Sequence, residues 1–245
     1  MLCSDCARVH RNSKMSINHV IILGHKSEKA KQRRRKITPG QHIPVKSSDY
    51  SNCCISGMIL LSDDILLLTD WNNNKVKFVD LQRLLVVSQI DLPGQPWDIC
   101  QVTADVVAVT IPFKGIQLLK VERRKEIAPF ETKNEQLLEL ESNFPLDEDC
   151  RGVDYFDGQF IVSFYRGKVA NINVDGSVTR QIQKDDFGQQ YFECPLRLRK
   201  ILSNQSAAFL VSDNKKNTVT MLDIDLNILK MFYHNTLQSP TGMEV

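Results

Sequence analysis

The sequence predicts an all-β fold built from repeated four-stranded units, a partial β-propeller of about four blades. From Ser51 onward, short apolar or alternating runs of four to seven residues are separated by turn-forming clusters, and almost no stretch holds the helical period for three turns. One kind of run also recurs: three apolar residues, a Ser or Thr, and one closing residue, ending at Asp70, Ile111, Phe164 and Asp213. The intervals between those ends are 41, 53 and 49 residues, a spacing that belongs to arrays with four strands per unit.

In the first unit, residues 55–58 open, 66–70 form the core run, and Trp71-Asn72-Asn73-Asn74 make a turn. A strand over 75–80 follows with Val76 and Phe78 on one face, and 84–88 close the unit. The second unit opens at 97–100 and turns at Gly115 before 116–119, and the third opens at 151–154 and turns at Gly167 before 168–172. In the fourth, residues near 196–198 open, Asp213-Asn214-Lys215-Lys216-Asn217 turn, and strands follow over 218–223 and 228–232. Asn and Gly suit these turns because both tolerate the positive φ of a tight hairpin. Residues 240–245 look like the opening element once more, the expected start of a fifth unit.

The chain has 245 residues, 42% of them hydrophobic and 24% charged, which is ordinary globular composition. No run approaches 18 consecutive apolar residues, and the N-terminal stretch has no apolar region behind its first charges, so the expectation is a cytoplasmic protein without membrane contact. Seven scattered cysteines, an odd count, read as reduced thiols plus one metal-like pair. Charge is divided unevenly. Residues 1–36 hold ten Lys/Arg against Asp5 and Glu28, a net of +8, which leaves 21 Lys/Arg against 27 Asp/Glu and a net of −6 for the rest. The predicted segments are a finger over 1–24, a basic linker over 25–50 and the propeller over 51–245.

In the head, Cys3, Cys6, His10 and His19 place two thiols and two imidazoles within seventeen residues, a donor set that suits one tetrahedral zinc ion. Together with Ala7-Arg8, Arg11, Lys14 and Asn18, these residues resemble the second half of a B-box zinc finger of the tripartite-motif (TRIM) family. A complete B-box holds two zinc ions on eight ligands, so the resemblance implies at most one ion here, weakly held. The phrase from Asp70 through Asn74, Val76 and Phe78 to Asp80, and its copy from Asp213 to Asp223, resembles the NHL-type propeller repeat. A B-box followed by an NHL-like propeller is similar to the layout of TRIM-NHL proteins, without the RING and coiled coil that usually accompany it. The chain reads as a fragment or short form, closest in character to lineage-expanded invertebrate members.

The resemblance implies that full-length relatives are ubiquitin ligases, with RING recruiting the conjugating enzyme and the propeller selecting substrates. The expected function of this chain is therefore binding, as a substrate-recognition or scaffold module for a protein or peptide, and not catalysis; its oligomeric state is open. The alternative is an RNA-binding propeller acting in post-transcriptional regulation, for which Arg180, Arg197, Arg199 and Lys200 are the candidate basic patch. A body of net −6 weighs against it. The run KSEKAKQRRRK, from Lys26 to Lys36, reads as a solvated linker, with nuclear entry or nonspecific phosphate binding as its other uses. Trp71, Trp97, Phe113 and Tyr165 stand where propeller loops emerge, either as a binding surface or as packing between blades. A metal-dependent propeller hydrolase would need several polar ligands at the axis, and the equivalent run ends, Asp70, Ile111, Phe164 and Asp213, supply only two aspartates, read as turn and blade-linking groups.

Overall fold

The computed structural model describes residues 43–46, 51–62, 64–122, 136–202, 207–234 and 237–241. Cys3, Cys6, His10, His19 and the run from Lys26 to Lys36 lie outside the described residues. Among those described, every regular element is a strand, and the strands form four antiparallel four-stranded sheets arranged as a four-bladed β-propeller. Blade 1 is β1 (Ile55–Ser62), β2 (Ile65–Asp70), β3 (Lys75–Asp80) and β4 (Leu85–Asp91); blade 2 is β5 (Ile99–Gln101), β6 (Val106–Ile111), β7 (Gly115–Val121) and β8 (Leu138–Phe144). Blade 3 is β9 (Cys150–Phe156), β10 (Gln159–Phe164), β11 (Lys168–Asn173) and β12 (Val178–Ile182); blade 4 is β13 (Pro195–Leu202), β14 (Ala207–Asp213), β15 (Thr218–Asp223) and β16 (Ile228–Tyr233).

The core runs are continuous rather than alternating because a blade is covered on both faces. In β2, β6 and β10 every residue after the first is buried. Alternate side chains then serve opposite neighbours. Leu67, Val76 and Phe78 pack with Val107, Val109 and Leu119 between blades 1 and 2. Ala108 and Ile116 meet Val153, Phe160 and Val162 between blades 2 and 3, and Ile161 and Val169 meet Phe209, Val211 and Leu222 between blades 3 and 4. Each such Val, Leu, Ile or Phe side chain contributes about 1.5–3 kcal/mol by leaving water. Blade 4 meets the first two blades through a smaller cluster, in which Cys194 and Leu196 pack with Trp97 and with Trp71 of the β2–β3 turn. The outward face of blade 1, with Leu66, Leu68 and Val79, is capped by Ile43 and Val45, so the end of the predicted linker packs on the propeller.

The recurrent Ser or Thr has a physical role. Thr69 Oγ1 lies 2.9 Å from Ser56 Oγ, which donates to the Pro96 carbonyl (2.7 Å) on the way into blade 2. Thr110 Oγ1 donates to the Arg151 carbonyl of β9 (2.5 Å), and Ser163 Oγ accepts from Gly152 N–H (2.9 Å). Ser212, the fourth of the set, is fully buried and its hydroxyl has no hydrogen-bond partner.

The hairpin turns follow expectation, with positive φ at Asn74 (53°), Gly115 (110°), Gly167 (84°) and Asn217 (55°). At Gly115 a Cβ would also lie 1.9 Å from the Phe144 carbonyl oxygen, so the position excludes any side chain. Inside blade 1 the Lys77 ammonium and the Asp70 carboxylate pair at 2.9 Å, both wholly shielded from solvent. Lys77 Nζ also donates to the Val45 carbonyl (2.9 Å) and approaches Cys53 Sγ (3.1 Å). A charge thereby ties the capping segment to the blade.

Candidate functional site

The first strands of the blades, β1, β5, β9 and β13, come together at the propeller axis. They approach so closely that a Cβ on Gly152 of β9 would lie 2.6 Å from Leu198 N of β13. The polar groups that meet here come from alternate positions of β13 and from the residues just before β5. Asp98, with no solvent exposure, receives both guanidinium nitrogens of Arg199 at 3.0 and 3.1 Å. Arg197 approaches the same carboxylate at 3.6 Å and also donates to the carbonyls of Trp97 (3.1 Å), Thr241 (3.0 Å) and Ser56. One arginine of blade 4 thus reaches blade 1 and the entry to blade 2. The field of Asp98 pushes Arg199 further into its charged form, whereas burial lowers Arg197 from its usual value, only partly offset by Asp98.

Toward the start of the inner strands lies an aromatic and arginine cluster. The Trp71 and Trp97 rings meet edge to face at 5.3 Å, and Arg151 Cζ stands 4.2 Å from the Trp97 ring centre and 5.4 Å from that of Tyr165. Arg197 Cζ lies 5.1 Å from the Trp97 ring, and Trp97 Nε1 donates to the Leu196 carbonyl (3.0 Å). Asp149 pairs with Arg151 at 2.7 Å. Each cation–π contact adds about 0.5–2 kcal/mol according to its desolvation. Three of the four aromatic residues singled out from sequence are therefore packing groups around the axis. Phe113 stands apart, 65% exposed at a turn with φ of 63°.

Toward the other end the inner strands part around an open cavity of about 240 Å³ lined by Met58, Ile59, Ile99, Cys100, Gln101, Asp154, Arg199 and Lys200. Lys200 Nζ donates to the Tyr155 carbonyl (2.7 Å) and lies 3.9 Å from Asp154 Oδ1. Asp154 accepts the main-chain N–H groups of Tyr155 (2.8 Å) and Lys200 (2.7 Å), yet burial outweighs these bonds and raises its carboxyl above the usual range. Burial, reinforced by Asp154 and Asp98, raises the Cys100 thiol well above its usual value, so it stays protonated and is a poor nucleophile. The cavity is smaller than the roughly 300–1,000 Å³ of ordinary small-molecule sites and matches a single inserted side chain. Of its two cations, Arg199 is held by Asp98, and Lys200 stands 3.9 Å from Asp154.

Asp70 and Asp213 are the turn and blade-linking groups the sequence suggests, while the axis is lined by the opening strands: Asp70 accepts Cys54 N–H (3.0 Å), and Asp213 accepts Glu193 (2.6 Å) and Cys194 (3.1 Å) N–H. The candidate basic patch is also divided. Arg197, Arg199 and Lys200 sit at the axis, whereas Arg180 lies on outermost β12 beside Asn227 and Asp225. Among the described residues no group of His, Cys, Asp or Glu is placed to hold a metal ion.

No family model matches the chain, and no curated protein matches it in sequence. Solved structures do match in fold. Glutaminyl cyclase from Myxococcus xanthus superposes with a TM-score of 0.51 at 12% identity, over 70% of this chain and 66% of that one. U3-55K superposes with a TM-score of 0.55 at 12% identity, over 75% of this chain and 53% of that one. This chain thus spans between about half and two thirds of the length of each, and the likeness is one of fold.

Proposed function

We propose that this chain is a protein-interaction module, a substrate-recognition or scaffold unit of TRIM-NHL type, whose propeller receives an acidic side chain of a protein partner at its axis. The observation that carries the reading is the axial cavity, sized for one side chain and edged by Lys200 and Arg199. The module acts by binding, in the cytoplasm, and any ubiquitin transfer belongs to a RING supplied elsewhere. A fluorescent hexaglutamate peptide tests the site. It is expected to bind the wild-type chain saturably and with salt dependence, and Lys200→Glu, with its fold checked by circular dichroism, is expected to lose at least tenfold in affinity. Equal binding of hexalysine, or of the acidic peptide to the variant, would remove the axial reading. Binding of single-stranded RNA oligonucleotide in place of hexaglutamate would transfer the function to the RNA alternative.

The head enters this proposal as a zinc-binding element. Cys3, Cys6, His10 and His19 offer two thiolates and two imidazoles, the donor types and number a structural zinc ion takes. When bound, the ion would order the head by cross-linking it, since a segment this short has little core of its own. Elemental mass spectrometry on the purified chain is expected to give about one zinc per chain, lost in Cys3→Ala and in His19→Ala. A zinc-free wild-type protein would leave the propeller as the sole interaction element.

A further inference from the structure

The structure assigns Cys53 and Lys77 to a reversible oxidative cross-link, a sulfenamide bond between Cys53 Sγ and Lys77 Nζ that forms under peroxide. Lys77 lies in the middle of β3, across from Leu68 of β2, and Cys53 lies just before β1. The two side chains meet on the outward face of blade 1, with Nζ 3.1 Å from Sγ. Nζ is held there by Asp70 Oδ2 and by the Val45 carbonyl, each at 2.9 Å. Nitrogen and sulfur are thus already in contact, and the nitrogen is fixed in that position by two further groups. Access differs between them. The Lys77 side chain is wholly shielded, whereas Cys53 is only half-buried, so a small oxidant arriving from solvent meets the sulfur first.

The amine, and not a second thiol, is the group placed to capture the oxidised sulfur. Cys54 is adjacent in sequence, and consecutive Cα atoms stand about 3.8 Å apart, closer than the roughly 4.4–6.8 Å an unstrained disulfide spans. Cys100, Cys150 and Cys194 are buried elsewhere in the propeller. In the reaction, peroxide gives one oxygen to the Cys53 thiol, forming a sulfenic acid and releasing water. Lys77 then passes one proton to the Asp70 carboxylate, and the nitrogen lone pair forms the N–S bond as the S–O bond breaks. The departing hydroxide takes a second proton from the nitrogen and leaves as water. One thiol, one ammonium, one carboxylate and one hydrogen peroxide become one sulfenamide, one carboxylic acid and two waters, with sulfur losing the two electrons that peroxide gains. Both members of the buried ion pair lose their charge together, so the bridge leaves no unpaired charge inside the blade. Burial pushes the Cys53 thiol up to about 11 in spite of Lys77, which makes the sulfur slow to react and the bridge a response to sustained oxidant.

The test is peptide mass spectrometry on the full chain after treatment with about 1 mM hydrogen peroxide and digestion by trypsin without reductant. A species joining residues 47–75 to residues 76–83 is expected, about 2 Da lighter than the two peptides together, with cleavage after Lys77 blocked. Dithiothreitol is expected to return the separate peptides. Cys53→Ser, with its fold checked by circular dichroism, is expected to abolish the joined species, and Cys54→Ser to leave it in place. An unmodified or sulfinic Cys53 beside a cleavable Lys77, a Cys53–Cys54 disulfide, or a bridge that survives Cys53→Ser or vanishes in Cys54→Ser would each overturn the proposal.

Discussion

Replacing Asp70 with Asn is expected to destabilise the chain by about 3–5 kcal/mol, the loss that follows when one partner of a buried ion pair is removed. Asn nearly preserves the side-chain shape, so the effect isolates charge. Lys77 is wholly shielded, and without the carboxylate its ammonium keeps the Val45 carbonyl as an uncharged acceptor. Replacing both residues, Asp70→Asn with Lys77→Met, is expected to recover most of the loss, because an apolar side chain of similar length needs no counter-charge. Urea unfolding of the two single variants and the double variant measures the coupling, and additive losses would contradict it.

The acid limb of stability carries the same pair. Burial alone would raise the Asp70 carboxyl, but the Asn73 amide, the Cys54 N–H and Lys77 together more than reverse this and hold it below the usual carboxylate range. A carboxyl with a lowered folded value binds fewer protons folded than unfolded. Its stabilisation is therefore complete above the unfolded value of about 3.9 and is lost as pH falls through the folded one. The wild type should retain this contribution at pH 5 and lose it only in stronger acid, whereas Asp70→Asn removes that part of the slope.

The second large loss is expected at the axis. Asp98→Ala removes the carboxylate on which Arg199 and Arg197 converge, and a cost of about 3–5 kcal/mol follows from leaving these shielded guanidinium groups without a counter-ion. The damage should be local in a recognisable way. Asp98 joins the entry to blade 2 to β13, so hydrogen exchange should quicken first along β13 and β14, while β2 and β3 of blade 1 remain protected. A loss below about 1 kcal/mol would show that the arginines find water or carbonyl partners instead.

The blade cores were legible because their middle strands are covered on both faces, which demands continuous apolar runs such as Leu66-Leu67-Leu68 and Phe160-Ile161-Val162. The turns were legible because Asn74, Gly115, Gly167 and Asn217 sit where φ is positive. The closing strands β8 and β12 were not, since an outermost strand exposed to water places no apolar demand on residues such as Glu139, Glu141 and Arg180. The axial site escaped for another reason. A repeat reveals its period but not which of its strands turns inward. Arg197 and Arg199, two positions apart and so on one face of β13, are the available signal, and on an outermost strand they would read as solvent-facing.

Arg197 bonds Ser56 across 141 residues of sequence, and Arg199 bonds Asp98 across 101. On the ribosome, blades 1 to 3 are complete before β13 exists, and until then Asp98 has no cation from blade 4 and keeps its water. The centre of the molecule therefore sets last. The emergence of β13, and not the formation of any earlier blade, fixes the moment at which the ring draws together, so the nascent protein passes through a stage in which its first blades are built and its axis is still wet.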